Sequence, residues 1–225
     1  MTTFDVTKRN KVLRLAKRAR YDHDEVYAIL DAAMLCHVGY EIDGQPYVMP
    51  TLVARDGDTL LLHGSSASRT IRHAGAGHPI CVTVTHTDGI VLARSAFNHS
   101  INYRSAMLYG RGSLVTERDE KIDALFRFTE KLLPERWDDI RPMTDQELKA
   151  TGVVAVPIDS ASAKVRTGFP ADELEDVDLP FWGGVIPMRQ VLDDPVPDSH
   201  VPADMPVPGY LLDHVARHRT VRVEE

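Results

Sequence analysis

The chain has 225 residues, of which 43% are hydrophobic and 26% charged. That suits one domain with extensions or two small domains, and it is far from the composition of a disordered, collagen-like or disulfide-scaffold protein. Lys and Arg number 26 against 33 Asp and Glu, a net charge of −7, which opposes attraction to phosphate backbones and anionic membrane surfaces. Apolar runs such as those at 60–62 and 90–93 fall far short of the ~18–20 residues that span a bilayer. Cys36 and Cys81 lie outside any C-x-x-C spacing and read as free thiols of a reducing compartment. The expectation is a cytoplasmic protein with neither nucleic acid nor membrane as partner.

The first 20 residues form a basic arm, with Lys8, Arg9, Lys11, Arg14, Lys17, Arg18 and Arg20 against Asp5 alone. It could seek phosphate or lie on the acidic body or a partner subunit. The absence of interleaved aromatic residues for base stacking favours the second reading. Val26, Ile29, Leu30, Ala33 and Met34 then follow helical spacing, with Asp22 placed to cap and Glu25 three residues on, predicting a helix over 24–35. Beyond Cys36 the period falls to two. Asp43-Gly44, Asp56-Gly57 and Asp88-Gly89 read as three hairpin turns, because Asp-Gly supplies the positive φ angles such turns need. Strands are expected at 37–42, 47–55, 59–63, 80–87, 90–95 and 106–115. Short antiparallel strands at this spacing favour a closed or nearly closed barrel, and the fold class is mainly β with helices. A brief helix containing Ile71 and Ala74 is expected between the third and fourth strands.

Ile122, Leu125, Phe126, Thr129, Leu132 and Leu133 form one face of a helix closed by Pro134, and Thr144 with Glu147 makes a capping box for another. These two helices constitute an insertion near 117–151. A strand at 153–157 follows, and from Lys164 the chain is expected to become irregular. Prolines at 187, 195, 197, 202, 206 and 208 suggest an extended wrapping segment. The implied organisation is an arm (1–20), one barrel domain (21–190) and a proline-rich tail (191–225).

No G-x-G-x-x-G follows a strand, and there is no P-loop, no nucleophile elbow and no H-E-x-x-H or paired-Cys spacing, so no metal site is expected. The run Leu60-Leu61-Leu62-His63-Gly64-Ser65-Ser66-Ala67-Ser68-Arg69 empties a buried strand into hydroxyls and a guanidinium at a helix start. It suits an anion, and equally an ordinary capped turn with a solvated arginine. A second polar segment runs from Arg94 to Ala106 through Asn102, Tyr103, Arg104 and Ser105. A third brings Lys164 and Arg166 together with Phe181 and Trp182.

In their order, Gly44-Gln45-Pro46-Tyr47-Val48-Met49-Pro50-Thr51, His63 to Arg69, Asn102 to Ser105, Lys164-Val165-Arg166-Thr167-Gly168 and Trp182-Gly183-Gly184-Val185-Ile186-Pro187 carry a resemblance across about 21–197. The chain resembles the pyridoxamine 5′-phosphate oxidase-like flavin-nucleotide-binding proteins, and within them the nitroimidazole-resistance branch. The resemblance implies a split β-barrel homodimer binding FMN between subunits. Ser68 and Arg69 would hold the phosphate with Ser65 nearby, and the backbone at Met49, Pro50 and Thr51 would line the ring system. His63 would lie beside the cofactor. Asn102, Tyr103, Arg104 and Ser105 would come from the second subunit, with Lys164 and Trp182 closing the site. A flavin nucleotide needs such a socket, flat walls and nearby positive charge. Thr70 stands where the oxidases proper place a lysine, which argues against pyridoxamine 5′-phosphate as substrate. The implied function is an FMN-dependent oxidoreductase acting on a small-molecule acceptor, with His63 and Tyr103 the candidate catalytic side chains. The alternatives are a flavin-binding module without turnover, or the same barrel holding F420 or haem.

Overall fold

The computed structural model describes residues 2–219. The basic arm lies on the chain's own body. Phe4 is buried and stacks on His23 at 3.8 Å, Asn10 Nδ2 donates to the Ala161 carbonyl at 3.0 Å, and the Arg9 guanidinium sits 5.2 Å from the Tyr109 ring centre. The arm ends in a short strand, β1 (Ala19–Arg20), and helix α1 (His23–Asp31) follows, capped by Asp22, whose side chain accepts from the Glu25 N–H at 3.2 Å. The helix stops short of the predicted 24–35 because Leu35 already belongs to β2 (Leu35–Ile42).

The Asp43-Gly44 turn, both residues at positive φ, joins β2 to β3 (Gln45–Leu52). Strands β4 (Ala54–Asp56) and β5 (Thr59–Ser65) form the second hairpin, and α2 (Arg69–Gly75) follows. The third expected hairpin does not exist. Strand β6 (Pro79–Leu92) runs straight through Asp88-Gly89 with a bulge, pairing along its length with β7 (Ser100–Arg111). The bulge places Asp88 beside Arg104, and Gly89 is needed for close approach instead of turning: a Cβ there would lie 3.0 Å from the Ile186 carbonyl of β11 (Gly184–Pro187).

After β8 (Ser113–Leu114) come the inserted helices α3 (Arg118–Leu132) and α4 (Asp145–Ala150), the latter with the expected Thr144–Glu147 capping box. Strand β9 (Thr151–Pro157) leads to β10 (Ser160–Arg166), which corrects the expectation of an irregular tail from Lys164. Its short Ser and Ala side chains carry no strong strand propensity, and full pairing with β7 creates the strand. The proline-rich segment is irregular up to 208, but α5 (Gly209–Arg219) ends the described chain, tied down by an Arg219–Asp194 ion pair and an Arg136–Tyr210 hydrogen bond.

The strands form two antiparallel sheets, ordered β1-β10-β7-β6-β2-β3 with β11 also on β6, and β4-β5-β9-β8. One core, with Val38, Leu60, Leu62, Val82, Val84 and Leu108 almost fully buried, lies between them. A second, around Leu61, Phe128, Leu148 and Val153, packs the insertion against the outer side of the smaller sheet. The sheets approach closely at Gly110, where a Cβ would run into the Pro157 carbonyl. Among the described residues no helix is long and apolar enough to cross a membrane.

Candidate functional site

Strand register decides which predicted residues share a face. Met49 lies opposite Val38, Thr51 opposite Cys36 and Tyr47 opposite Tyr40. Since Val38, Cys36 and Tyr40 are buried, Tyr47, Met49 and Thr51 lie on the core face of the edge strand β3, while Val48 and Pro50 face outward. The Arg69 guanidinium lies 4.6 Å from the Tyr47 ring centre, Tyr47 stacks on Tyr40 at 5.4 Å, and the Tyr40 and Thr70 hydroxyls are 3.0 Å apart. This ladder ties the start of α2 to the β2–β3 hairpin and brings Arg69 to Tyr47, which shares the core face of β3 with Met49 and Thr51. Ser68 precedes α2 without spending its hydroxyl on a cap bond, and Ser65 Oγ accepts from the Ala67 N–H at 3.2 Å. Arg69 has no carboxylate partner among the described residues. A cation held in place by an aromatic ring, beside a free hydroxyl and without a counter-charge, is suited to a phosphate.

His63 is not part of this group. Side chains alternate along β5: Gly64 faces Ile71 of α2, and His63 faces the insertion, with its ring 4.2 Å from that of Phe128. Its Nδ1 is buried with no partner, and burial lowers the imidazole's pKa, so the ring is neutral.

Alternation also divides the Asn102–Ser105 block. Tyr103 and Ser105 face outward, and Ser105 lies directly opposite Lys164. Arg104 turns to Asp88 in a two-pronged ion pair at 2.9 and 2.8 Å, which raises its pKa. Asn102 is buried, accepting from Arg166 and donating to the Gly168 carbonyl at 3.1 Å. Asn102 and Arg104 thus bond within their own chain. Trp182 is 67% exposed and folds against Gly184. The loop before it is pinned by Asp172, which accepts from the Arg94 backbone N–H at 2.9 Å and from its guanidinium at 2.8 Å.

Outward from β3 to β10 the rows read Val48, Gly39, Cys81, Tyr109, Ser160; then Pro50, His37, Thr83, Met107, Ser162; then Thr85, Ser105, Lys164. They hold no carboxylate, and Val48 and Met107 are exposed.

Residues 22–165 match the model of the pyridoxamine 5′-phosphate oxidase family. The chain belongs to that family. No curated protein matches it. Among solved structures, the flavocytochrome Anf3 from Azotobacter vinelandii is 43% identical over 92% of this chain and 96% of its own, with a TM-score of 0.87. An FAD and haem binding protein from Mycobacterium smegmatis is 34% identical over 88% and 97%, at 0.84. A protein assigned to 5-nitroimidazole antibiotic resistance, from Bacteroides thetaiotaomicron, is 26% identical over 65% and 86%, at 0.55.

In this member of the oxidase family Thr70 is buried, with its hydroxyl on that of Tyr40. Two features went beyond sequence reasoning. Arg166, expected as a cation beside Lys164 and Trp182, is 6% exposed and bonded to Asn102, with its Nε buried and unpartnered among the described residues, and burial lowers its pKa. His73 and His78 stack at 4.6 Å beside Tyr40. The five-residue spacing from His73 in α2 to His78, just before β6, carried no motif, and only the turn between the two elements brings the rings together.

Proposed function

We propose that the protein is a flavin-binding oxidoreductase that also carries haem and works as a homodimer on a small-molecule acceptor. The observation that carries this reading is likeness over nine-tenths of the chain, at 43% and 34% identity, to a flavocytochrome and to an FAD and haem binding protein. The residues fit a flavin. Arg69 and Ser68 offer an uncompensated cation and a free hydroxyl to its phosphate, and Tyr47, Met49 and Thr51 offer a half-open wall to its ring system. The FMN of the sequence expectation and an FAD present the same phosphate to this socket.

A haem iron needs a neutral imidazole; burial favours the neutral form of His63, and its Nδ1 is bonded to no protein group among the described residues. His63 is therefore the axial-ligand candidate, and Tyr103 keeps the place of candidate catalytic side chain. When bound, a flavin accepts electrons in pairs and releases them singly, the chemistry that joins a two-electron donor to a haem. The middle rows of the outer sheet face, which hold no carboxylate between β3 and β10, suit a second copy of the chain, to which Tyr103, Ser105 and Lys164 would be presented. Unpaired Cys36 and Cys81 suit a reducing cytoplasm.

Purified protein should show flavin absorption and a Soret band, release a flavin on acid denaturation, and sediment as a dimer that Met107→Glu dissociates. A protein that binds neither FMN nor FAD on addition would overturn the proposal. One that binds flavin but never oxidises a nicotinamide cofactor with any acceptor would be reduced to a binding module.

A further inference from the structure

The basic arm touches the body through Phe4 on His23, Asn10 on the Ala161 carbonyl and Arg9 on Tyr109, and it leaves most of its charge turned outward. The first 20 residues hold seven of the chain's 26 cations and one of its 33 carboxylates. Of these cations only Arg20 makes an ion pair among the described residues, with Glu25 at 3.4 Å. Lys8, Lys11, Arg14 and Lys17 are exposed. The stretch from Lys11 to Arg20 is a loop tied at both ends. The Val12 N–H donates to the Tyr21 hydroxyl at 2.9 Å, Ala19 and Arg20 pair with β10, and the Arg20 guanidinium donates to the Lys17 and Ala19 carbonyls at 3.2 and 2.9 Å. Leu15 turns the chain inside this loop at a left-handed backbone angle (φ 56°, ψ 53°), which a bulky side chain seldom adopts. Leu13 is 82% exposed and Leu15 41%.

Two leucines therefore stand in water among three unpaired cations, Lys11, Arg14 and Lys17. That combination fits the boundary of an anionic bilayer, where cations meet headgroup phosphates and apolar side chains reach the acyl layer. We propose that the 11–18 loop docks the protein reversibly on an anionic lipid surface. The net charge of −7 does not oppose this contact, because 32 of the 33 carboxylates lie outside the arm and exposed charges farther off than a Debye length, roughly 8–10 Å, are largely screened at physiological salt. An acidic protein surface would satisfy the cations equally well; the exposure of Leu13 is what favours lipid. The proposal is independent of the flavin reading.

The test is co-sedimentation of the full-length protein with vesicles of phosphatidylcholine and of an equal mixture of phosphatidylcholine and phosphatidylglycerol, at low and high salt. The wild type should sediment with the mixed vesicles only, and should release in high salt. A Lys11→Glu/Arg14→Glu/Lys17→Glu variant should bind at least about ten-fold more weakly, and Leu13→Gln about five-fold more weakly. All four side chains are exposed, and thermal melts check that both variants are folded. Equal sedimentation with both vesicle types, sedimentation with neither, or wild-type binding by the triple variant would overturn the proposal. Wild-type binding by Leu13→Gln would overturn it too and assign the cations to an acidic macromolecule. Sedimentation velocity without lipid should give Leu13→Gln the oligomeric state of the wild type; a dissociated variant would give the loop to a second copy of the chain and refute lipid docking.

Discussion

Replacing Arg69 by Ala separates a phosphate socket from a solvated surface arginine. In the structure Arg69 is exposed, makes no ion pair among the described residues, and touches its surroundings through the Tyr47 ring at 4.6 Å. Its removal should therefore cost the fold little: an exposed cation–π contact contributes about 0.5–1 kcal/mol, or a fall in melting temperature of roughly 1–4 °C in a chain of this size. The cost to binding is larger. A charge-assisted hydrogen bond contributes about 1.5–3 kcal/mol, and exposure with salt screening puts this one in the lower half of that range. FMN affinity should then fall by roughly 10–45-fold. Fluorescence quenching titrations with FMN at two salt concentrations measure it. The wild type should weaken with salt more than the variant, and Arg69→Lys, which keeps the charge and loses the planar fork, should lie between them. A change below two-fold, with the same salt dependence in both proteins, would move the phosphate away from α2.

Further expectations concern the rest of the molecule. His63→Ala should abolish the Soret band while flavin binding persists, since His63 lies on the opposite side of β5 from Arg69; a retained Soret band would assign the iron to another ligand. Because burial keeps His63 neutral in the fold, its contribution to stability is present above the ordinary histidine value of about 6.5 and diminishes as pH falls below it. A pH series of melts should show a shallower acid slope in His63→Gln. The Asp172 carboxylate is held below the usual range first by the Arg94 backbone N–H and then by its guanidinium. The loop contact should therefore be complete above about pH 4 and be lost below it, and Asp172→Asn should expose the 167–183 loop to limited proteolysis at neutral pH. Gly110→Ala should destabilise by about 1–3 kcal/mol in a urea melt, because the added methyl meets backbone; wild-type stability would refute the close approach of the two sheets.

The elements legible in the sequence are those governed by residues within four positions of one another: the Asp22 cap, the Asp43-Gly44 turn, the single-faced α3 and the Thr144–Glu147 box. Where local rules misled, distant partners prevailed. Asp88-Gly89 has the composition of a turn, but the pairing of Ile90 with Ile101 and the Asp88–Arg104 ion pair keep β6 straight. β10 exists because β7 offers it a full ladder. α5 was hidden behind prolines that stop just before it starts. At the site, the residue types at Ser68 and Arg69 were legible as an anion socket. The division of Asn102–Ser105 between two faces follows from strand alternation once that segment is a strand, which its polarity concealed.

The sequence by itself determined a mainly β chain with helices and its family, and it singled out Ser68 and Arg69 as candidates for a phosphate, because turn chemistry, hydrophobic period and ordered motifs are local. Only the tertiary structure decided that His63 faces away from Arg69, that Arg104 is occupied by Asp88, that Arg166 is buried without a counter-charge among the described residues, and that His73, His78, Arg72 and Asp43 line one cavity. Those are properties of strand register and of which surfaces meet, and they arise between residues that are distant in the chain.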